Sequence, residues 1–280
     1  MKFEKWQALG NDYLIVEADR LPWELTPKRA EWLCDPHFGV GADGVLLLSR
    51  SDDPQFVADL RIFNPDGSEA ELSGNGAREA ILYLRRHGWI EADTFAIKTV
   101  AGPIVPTITG ELTCSVEMGR ASTASKDFPS GGEDGRGRLE AAGREWEFQH
   151  VSIGNPQCAI VVGEELDDLD LGEIGPGIEG HELFPNRTNV SFLAIDGSRV
   201  RARIFERGVG ETLSSGTGAS GAAVAAFLGG ATSPIVVELD GGELEVEVAE
   251  DLAVRLTGWA EPVYAGELSP ELLQALSELD

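Results

Sequence analysis

Arg61-Ile62-Phe63-Asn64-Pro65-Asp66-Gly67-Ser68-Glu69, followed shortly by Ser73-Gly74-Asn75-Gly76-Ala77, decides the fold because most of it occurs twice. From Arg61-Ile62-Phe63 to Arg203-Ile204-Phe205 is 142 residues. The same offset carries Glu69 to Glu211, Ser73-Gly74 to Ser215-Gly216, Gly76-Ala77 to Gly218-Ala219 and Ala80 to Ala222. A second pair, Gly10-Asn11-Asp12 and Gly154-Asn155-Pro156, stands 144 residues apart, each beside a strand-like apolar run. Two copies are too few for a solenoid. They indicate one duplicated domain and a pseudo-twofold axis.

Working outward, strand signals dominate: Gly44-Val45-Leu46-Leu47-Leu48, Leu60-Arg61-Ile62-Phe63, Ile235-Val236-Val237-Glu238-Leu239 and the alternating Leu244-Glu245-Val246-Glu247-Val248. Each copy ends in a helix, the first predicted from near Gly76 to Arg86 and the second from Ala219 to Leu228. The second is nearly all alanine, glycine and valine, and a helix apolar on all sides is a buried one. The expected fold is therefore α/β (α+β) with two pseudo-symmetric domains. Each is a sheet or barrel around a central buried helix, with an active site in the interdomain cleft. The boundaries are drawn at 1–117 plus 263–280 for the first domain and 118–262 for the second. A length of 280 residues suits two such domains.

Composition excludes several functions. No run of eighteen apolar residues exists to span a membrane, and the start of the chain lacks the apolar core of a signal peptide. Cys34, Cys114 and Cys158 are odd in number and widely spaced, which argues against a disulfide framework and for the cytoplasm. A formal charge of −26 excludes a nonspecific nucleic-acid binder and reads as a solvated acidic surface. Only Lys2, Lys5, Lys28, Lys98 and Lys126 are lysine, a bias that hints at a GC-rich or salt-tolerant source.

The chemistry centres on the two Ser-Gly-x-Gly-Ala loops. A strand, a turn of small residues and a buried helix leave backbone N–H groups unpaired at the helix start, where the dipole favours an anion. One such loop reads as a plain helix cap. Two related by duplication read as a grip on one carboxylate. The absence of a lysine after the glycines excludes a Walker-type nucleotide loop. A carboxylate held this way has an acidified neighbouring Cα–H, and residues 73 and 215 would flank that carbon as acid and base. No lysine sits in a pyridoxal-phosphate context and the four histidines form no metal-spaced cluster, so neither cofactor nor metal is expected.

These residues resemble the diaminopimelate epimerase family of cofactor-independent two-base racemases. Seven ordered segments carry the likeness: Leu9-Gly10-Asn11-Asp12, His37 to Gly44, Phe63 to Glu69, Gly74-Asn75-Gly76-Ala77-Arg78, Gly154-Asn155-Pro156, Arg187-Thr188-Asn189-Val190 and Glu206 to Thr212. The resemblance implies a small zwitterionic amino-acid substrate. Asn11, Asn64, Asn155, Asn189, Glu206 and Arg207 would read it, and backbone around Gly74-Asn75 and Gly216-Thr217 would hold the reacting carboxylate. It also implies a homodimer and a place in lysine and cell-wall precursor synthesis.

This chain departs from the family pattern at the chemistry. Ser73 and Ser215 stand at the two catalytic cysteine positions, and Gln157 stands at the histidine position after Gly-Asn-Pro. A serine hydroxyl is a far weaker acid than a thiol of pKa ~8.5. Deliberate replacement of both cysteines would account for Ser73 and Ser215 but not for Gln157 or the retained Cys158, so three changes at one centre read more as divergence than as design. The enzymatic expectation is an epimerase slowed by its serines. Two others stand beside it: an isomerase or lyase using a carboxylate base (Glu69, Glu71 or Glu206), and an amino-acid-binding pseudoenzyme. Cys158 is expected to be a small core residue, and Cys34 and Cys114 structural.

Overall fold

The computed structural model describes residues 1–279; Asp280, the end of the expected first domain, lies outside them. The chain divides into two compact units: Met1–Val116 with the chain from Trp259 onward, and Glu117–Gly258. The first holds β1 (Lys2–Ala8), β2 (Asn11–Glu17), α1 (Pro27–Cys34), β3 (Val45–Arg50), β4 (Ala58–Phe63), β5 (Glu69–Ala70), α2 (Gly74–Arg86), β6 (Ile97–Thr99), β7 (Gly102–Ile104) and β8 (Pro106–Ile108). After β9 (Thr113–Arg120), the second holds β10 (Arg136–Ala141), β11 (Arg144–Ser152), β12 (Pro156–Val161), α3 (Leu171–Glu179), β13 (Asn189–Asp196) and β14 (Arg199–Glu206). It continues with β15 (Gly210–Thr212), α4 (Gly216–Leu228), β16 (Ile235–Leu239), β17 (Gly242–Val248) and β18 (Ala253–Trp259). The chain then re-enters the first unit as β19 (Glu261–Glu267) and α5 (Pro270–Ser277).

The duplication is a duplication of topology. In the first unit the strands run β19-β1-β2-β3-β4-β6-β7, and in the second β10-β11-β12-β13-β14-β16-β17. Corresponding neighbours pair with the same sense. β2–β3 and β12–β13 are parallel, β3–β4 and β13–β14 antiparallel, and β4–β6 and β14–β16 parallel. Parallel neighbours require a long crossover. From β4 to β6 the crossover contains α2, and from β14 to β16 it contains α4. The first unit borrows its outer strand from the far end of the chain, with Lys2 opposite Glu267.

Both crossover helices are buried. Asn75 to Leu84 of α2 are out of solvent, as are nearly all residues of α4 from Gly216 to Ala226. α4 packs on β11 to β14, β16 and β17, and α2 on β1 to β3. Leu14, Leu33, Val45 and Phe63 belong to one apolar cluster, and Phe148, Ile160, Phe192 and Phe205 to another.

Each helix begins earlier than expected, at Gly74 rather than Gly76 and at Gly216 rather than Ala219. Glycine's poor helix propensity suggested a later start. The cap overrides it: the Ser73 and Ser215 hydroxyls accept the N–H of Gly76 and Gly218, so the glycines form the first turn. At the start of β2, Leu9 and Gly10 both have positive φ (54° and 82°). They form a two-residue hairpin loop between Ala8 and Asn11. Gly154 has the matching φ of 83° before β12. None of the described helices is long and apolar enough to cross a membrane.

Candidate active site

Ser73 caps α2 and Ser215 caps α4, so each sits where a helix start leaves its first N–H groups without intrahelical partners. The residues around each cap follow the repeat. Asn11 and Asn155 occupy matching places at the starts of β2 and β12, and each meets the matching helix residue. The Asn75 side-chain amide donates to Asn11 Oδ1 at 3.3 Å, and that of Asn155 donates to Thr217 Oγ1 at 3.2 Å. Strand and helix start are thereby tied at matching places in both units, with the helix residue donating in the first and the strand residue in the second.

In the first unit the tie is extended by charge. Asn11 donates to Asp43 Oδ2 at 3.0 Å, while Arg78 of α2 reaches back to Asn75 Oδ1 and, at 3.1 Å, to Gly74 O. Arg78 and its neighbour Glu79 are fully buried. Burial pulls the guanidinium pKa down and pushes the Glu79 carboxyl well above the usual carboxylate range. Asn64 donates to Ser68 Oγ at 2.9 Å within its own turn.

Sequence reasoning missed Tyr13. Its phenol, on β2, donates to Ser73 Oγ at 3.2 Å. The signal that could have found it is the 144-residue offset, which pairs Tyr13 with Gln157, the residue at the family's histidine position.

In the second unit the serine has a different companion. The Ser215 hydroxyl donates to Glu206 Oε2 at 3.0 Å, and the other carboxyl oxygen of Glu206 accepts from Thr212 at 2.9 Å. The sequence offers Glu206 as a candidate base without showing which serine it meets. Of the three carboxylates considered, only this one touches a cap serine. Glu69 is held by Arg61 at 2.8 and 3.0 Å, as Glu211 is by Arg203, and Glu71 is exposed.

Gln157 does not hydrogen-bond Ser215. Its amide donates to Asn155 Oδ1 at 2.7 Å, and its own oxygen is buried with no partner. The Asn189 side chain accepts the Arg207 backbone N–H at 2.8 Å, and the exposed Arg207 guanidinium donates to Asn186 O at 3.0 Å. Cys34, Cys114 and Cys158 are buried free thiols, with Cys34 and Cys114 pushed up to about 12 and Cys158 further still by desolvation. His37 is exposed, and its backbone N–H donates to Asp35 Oδ1 at 2.7 Å. Among the described residues no group of three or more His, Cys, Asp or Glu is arranged to hold a metal ion.

The fold recurs in solved structures. A PhzF-family phenazine biosynthesis protein from Bacillus anthracis matches with a TM-score of 0.67 and 20% identity, over 96% of this chain and 99% of its own. A hydroxyproline epimerase from Agrobacterium vitis, solved with trans-4-hydroxy-L-proline, matches with a TM-score of 0.61 and 18% identity, over 98% and 94%. These likenesses define the class of fold. Sequence defines the family: the diaminopimelate epimerase family model matches residues 3–124 and 149–261. The chain is 41% identical to diaminopimelate epimerase 2 of a Nostoc species over 282 residues, 97% of each chain. It is 40% identical to the diaminopimelate epimerase of Pelotomaculum thermopropionicum over 278 residues, 95% of this chain and 98% of the relative. The chain belongs to the diaminopimelate epimerase family, and is an isomerase of the epimerase type.

Proposed function

We propose that this protein moves the α-proton of a small zwitterionic amino acid, interconverting LL- and meso-diaminopimelate without a cofactor, with Ser73 and Ser215 as the groups nearest the reacting carbon. In this reading it is a cytoplasmic homodimer serving lysine and cell-wall precursor synthesis. The observation that carries it is the Ser215–Glu206 pair. A serine alone is too weak an acid to exchange protons at neutral pH, whereas one whose hydroxyl oxygen lies 3.0 Å from the carboxyl oxygen it donates to has somewhere to send its proton.

The remaining residues have roles that follow from their chemistry. Backbone N–H groups around Gly74-Asn75 and Gly216-Thr217 would hold the carboxylate next to the reacting carbon. Asn11, Asn64, Asn155 and Asn189 offer neutral amides to fix orientation, Arg207 a fork for a distal carboxylate, and Glu206 a negative charge for an ammonium. Gln157 acts through Asn155.

The test is incubation with LL- and with meso-diaminopimelate in deuterated water. Deuterium at the α-carbon together with stereoisomer exchange is expected; neither appearing would sink the proposal. The Ser215–Glu206 contact also favours a second reading, in which Glu206 itself is the base of a one-sided isomerase. That predicts deuterium uptake with retention and no stereoisomer exchange.

A further inference from the structure

Ser73 and Ser215 hold matching places in the repeat, yet their hydroxyls are in opposite hydrogen-bonding states. Ser215 accepts one backbone N–H and donates to Glu206. Ser73 Oγ receives two donors, the Gly76 N–H at 3.1 Å and the Tyr13 O–H at 3.2 Å. A hydroxyl oxygen has two lone pairs and one proton. Both lone pairs of Ser73 are therefore engaged, and no acceptor for its own proton is seen among the described residues. One serine faces a base; the other faces an acid.

The tyrosine is built into place. Its side chain is buried on β2, and the ring passes Gly44 so closely that a Cβ there would lie 2.5 Å from ring carbon Cε1 and 2.5 Å from Phe63 O. Only glycine at 44 leaves that passage open. The groups that face the phenol are Ser73 and Glu79 from α2, Asp43 from the loop before β3, and the Cys34 thiol from α1. Burial and these acids push the phenol up to about 12, which keeps it protonated at neutral pH.

Resting on the proton-transfer reading above, we propose that Tyr13 is the positioning residue that makes Ser73 the proton-donating side of the reaction. In the donating stroke the α-carbanion's electron pair takes the Ser73 proton while Ser73 Oγ takes the phenolic proton of Tyr13. The negative charge ends on the phenolate, which water reprotonates before the next turnover. In reverse, hydroxide first removes the phenolic proton, and the phenolate then draws the Ser73 proton as Ser73 accepts the α-proton. No serine alkoxide forms in either direction. The Ser215–Glu206 pair, with its acceptor in place, is the proton-removing side.

Ser73→Cys turns the contact into a measurement independent of turnover. The three native thiols are buried, whereas position 73 is only half-buried, so iodoacetamide alkylation against pH reports the new thiol's ionisation. A thiolate at 73 would inherit both donors. Adding Tyr13→Phe, which keeps the ring, is expected to raise the alkylation midpoint by about one pH unit and to slow alkylation at neutral pH about tenfold. Identical midpoints would overturn the proposal. Replacing tyrosine throughout by 3-fluorotyrosine, a stronger phenolic acid, is expected to move the midpoint down, and no movement also counts against it. α-Deuterium uptake by the unmodified protein separates the two ideas. A Tyr13-dependent midpoint without uptake defeats the epimerase reading alone; uptake with a Tyr13-independent midpoint defeats the pairing alone.

Discussion

Replacing Gly221 by alanine puts a methyl group where α4 crosses β12. An ideal Cβ there would lie 2.7 Å from Gln157 Cγ and 2.8 Å from Gln157 Cβ. In an open helix interior the same replacement stabilises by about 1 kcal/mol, because glycine loses more backbone freedom on folding. Here the gain meets an overpacking cost at the upper end of the usual range, about 3 kcal/mol. The upper end applies because Gln157 is fully buried and its Cβ moves only with the strand backbone. The net expectation is destabilisation by about 2 kcal/mol. In a Gln157→Gly background both clashing atoms are gone, and the ordinary gain of about 1 kcal/mol should return. A double-mutant cycle should then give a coupling of about 3 kcal/mol, read from urea midpoints at constant slope. The same clash dislodges the Gln157 amide from Asn155 Oδ1, so proton exchange should fall even where the protein stays folded. Stabilisation by Gly221→Ala with Gln157 present, or equal effects in both backgrounds, would refute the reasoning.

Glu206→Gln keeps an acceptor for Ser215 but removes the site for its proton, and is expected to lower α-deuterium uptake by about 10²–10⁴-fold, measured by mass spectrometry of the substrate. Ser73→Cys with Ser215→Cys supplies acidic thiols at both caps and should raise stereoisomer exchange well above that of the unmodified protein; no gain would mean that more than the acid/base pair is missing. Ser73→Ala removes the cap of α2 and should cost about 1 kcal/mol in a urea titration. For Glu79, the folded pKa lies well above the unfolded value, so the native state holds a proton that the unfolded chain has released. Stability should therefore fall as pH rises from the ordinary carboxyl range toward the folded pKa, and Glu79→Gln should flatten that fall between urea midpoints taken at pH 5 and pH 8.

The amino-acid sequence by itself determined the duplication, the two strand–turn–helix copies and the buried character of α4. The reason is that each is written locally, as a fixed offset, an apolar period or a run of small residues. It also determined the family, through short motifs that each carry their own backbone geometry. The helices start two or three residues before the position that local glycine propensity alone indicates, because the serine cap outweighs that propensity. Only the tertiary structure decided what each serine faces. Tyr13 lies sixty residues before Ser73, while Glu206 lies nine before Ser215. No periodicity links such partners; strand register and the buried crossover helix bring them together. It likewise decided that Glu69 is held by Arg61 whereas Glu206 remains beside Ser215, a choice made by the direction of side chains on a strand. The repeat made the two loops look alike. Packing made one of them a donor and the other an acceptor, because hydrogen-bond state depends on the neighbour across the fold and not on the residue in the chain.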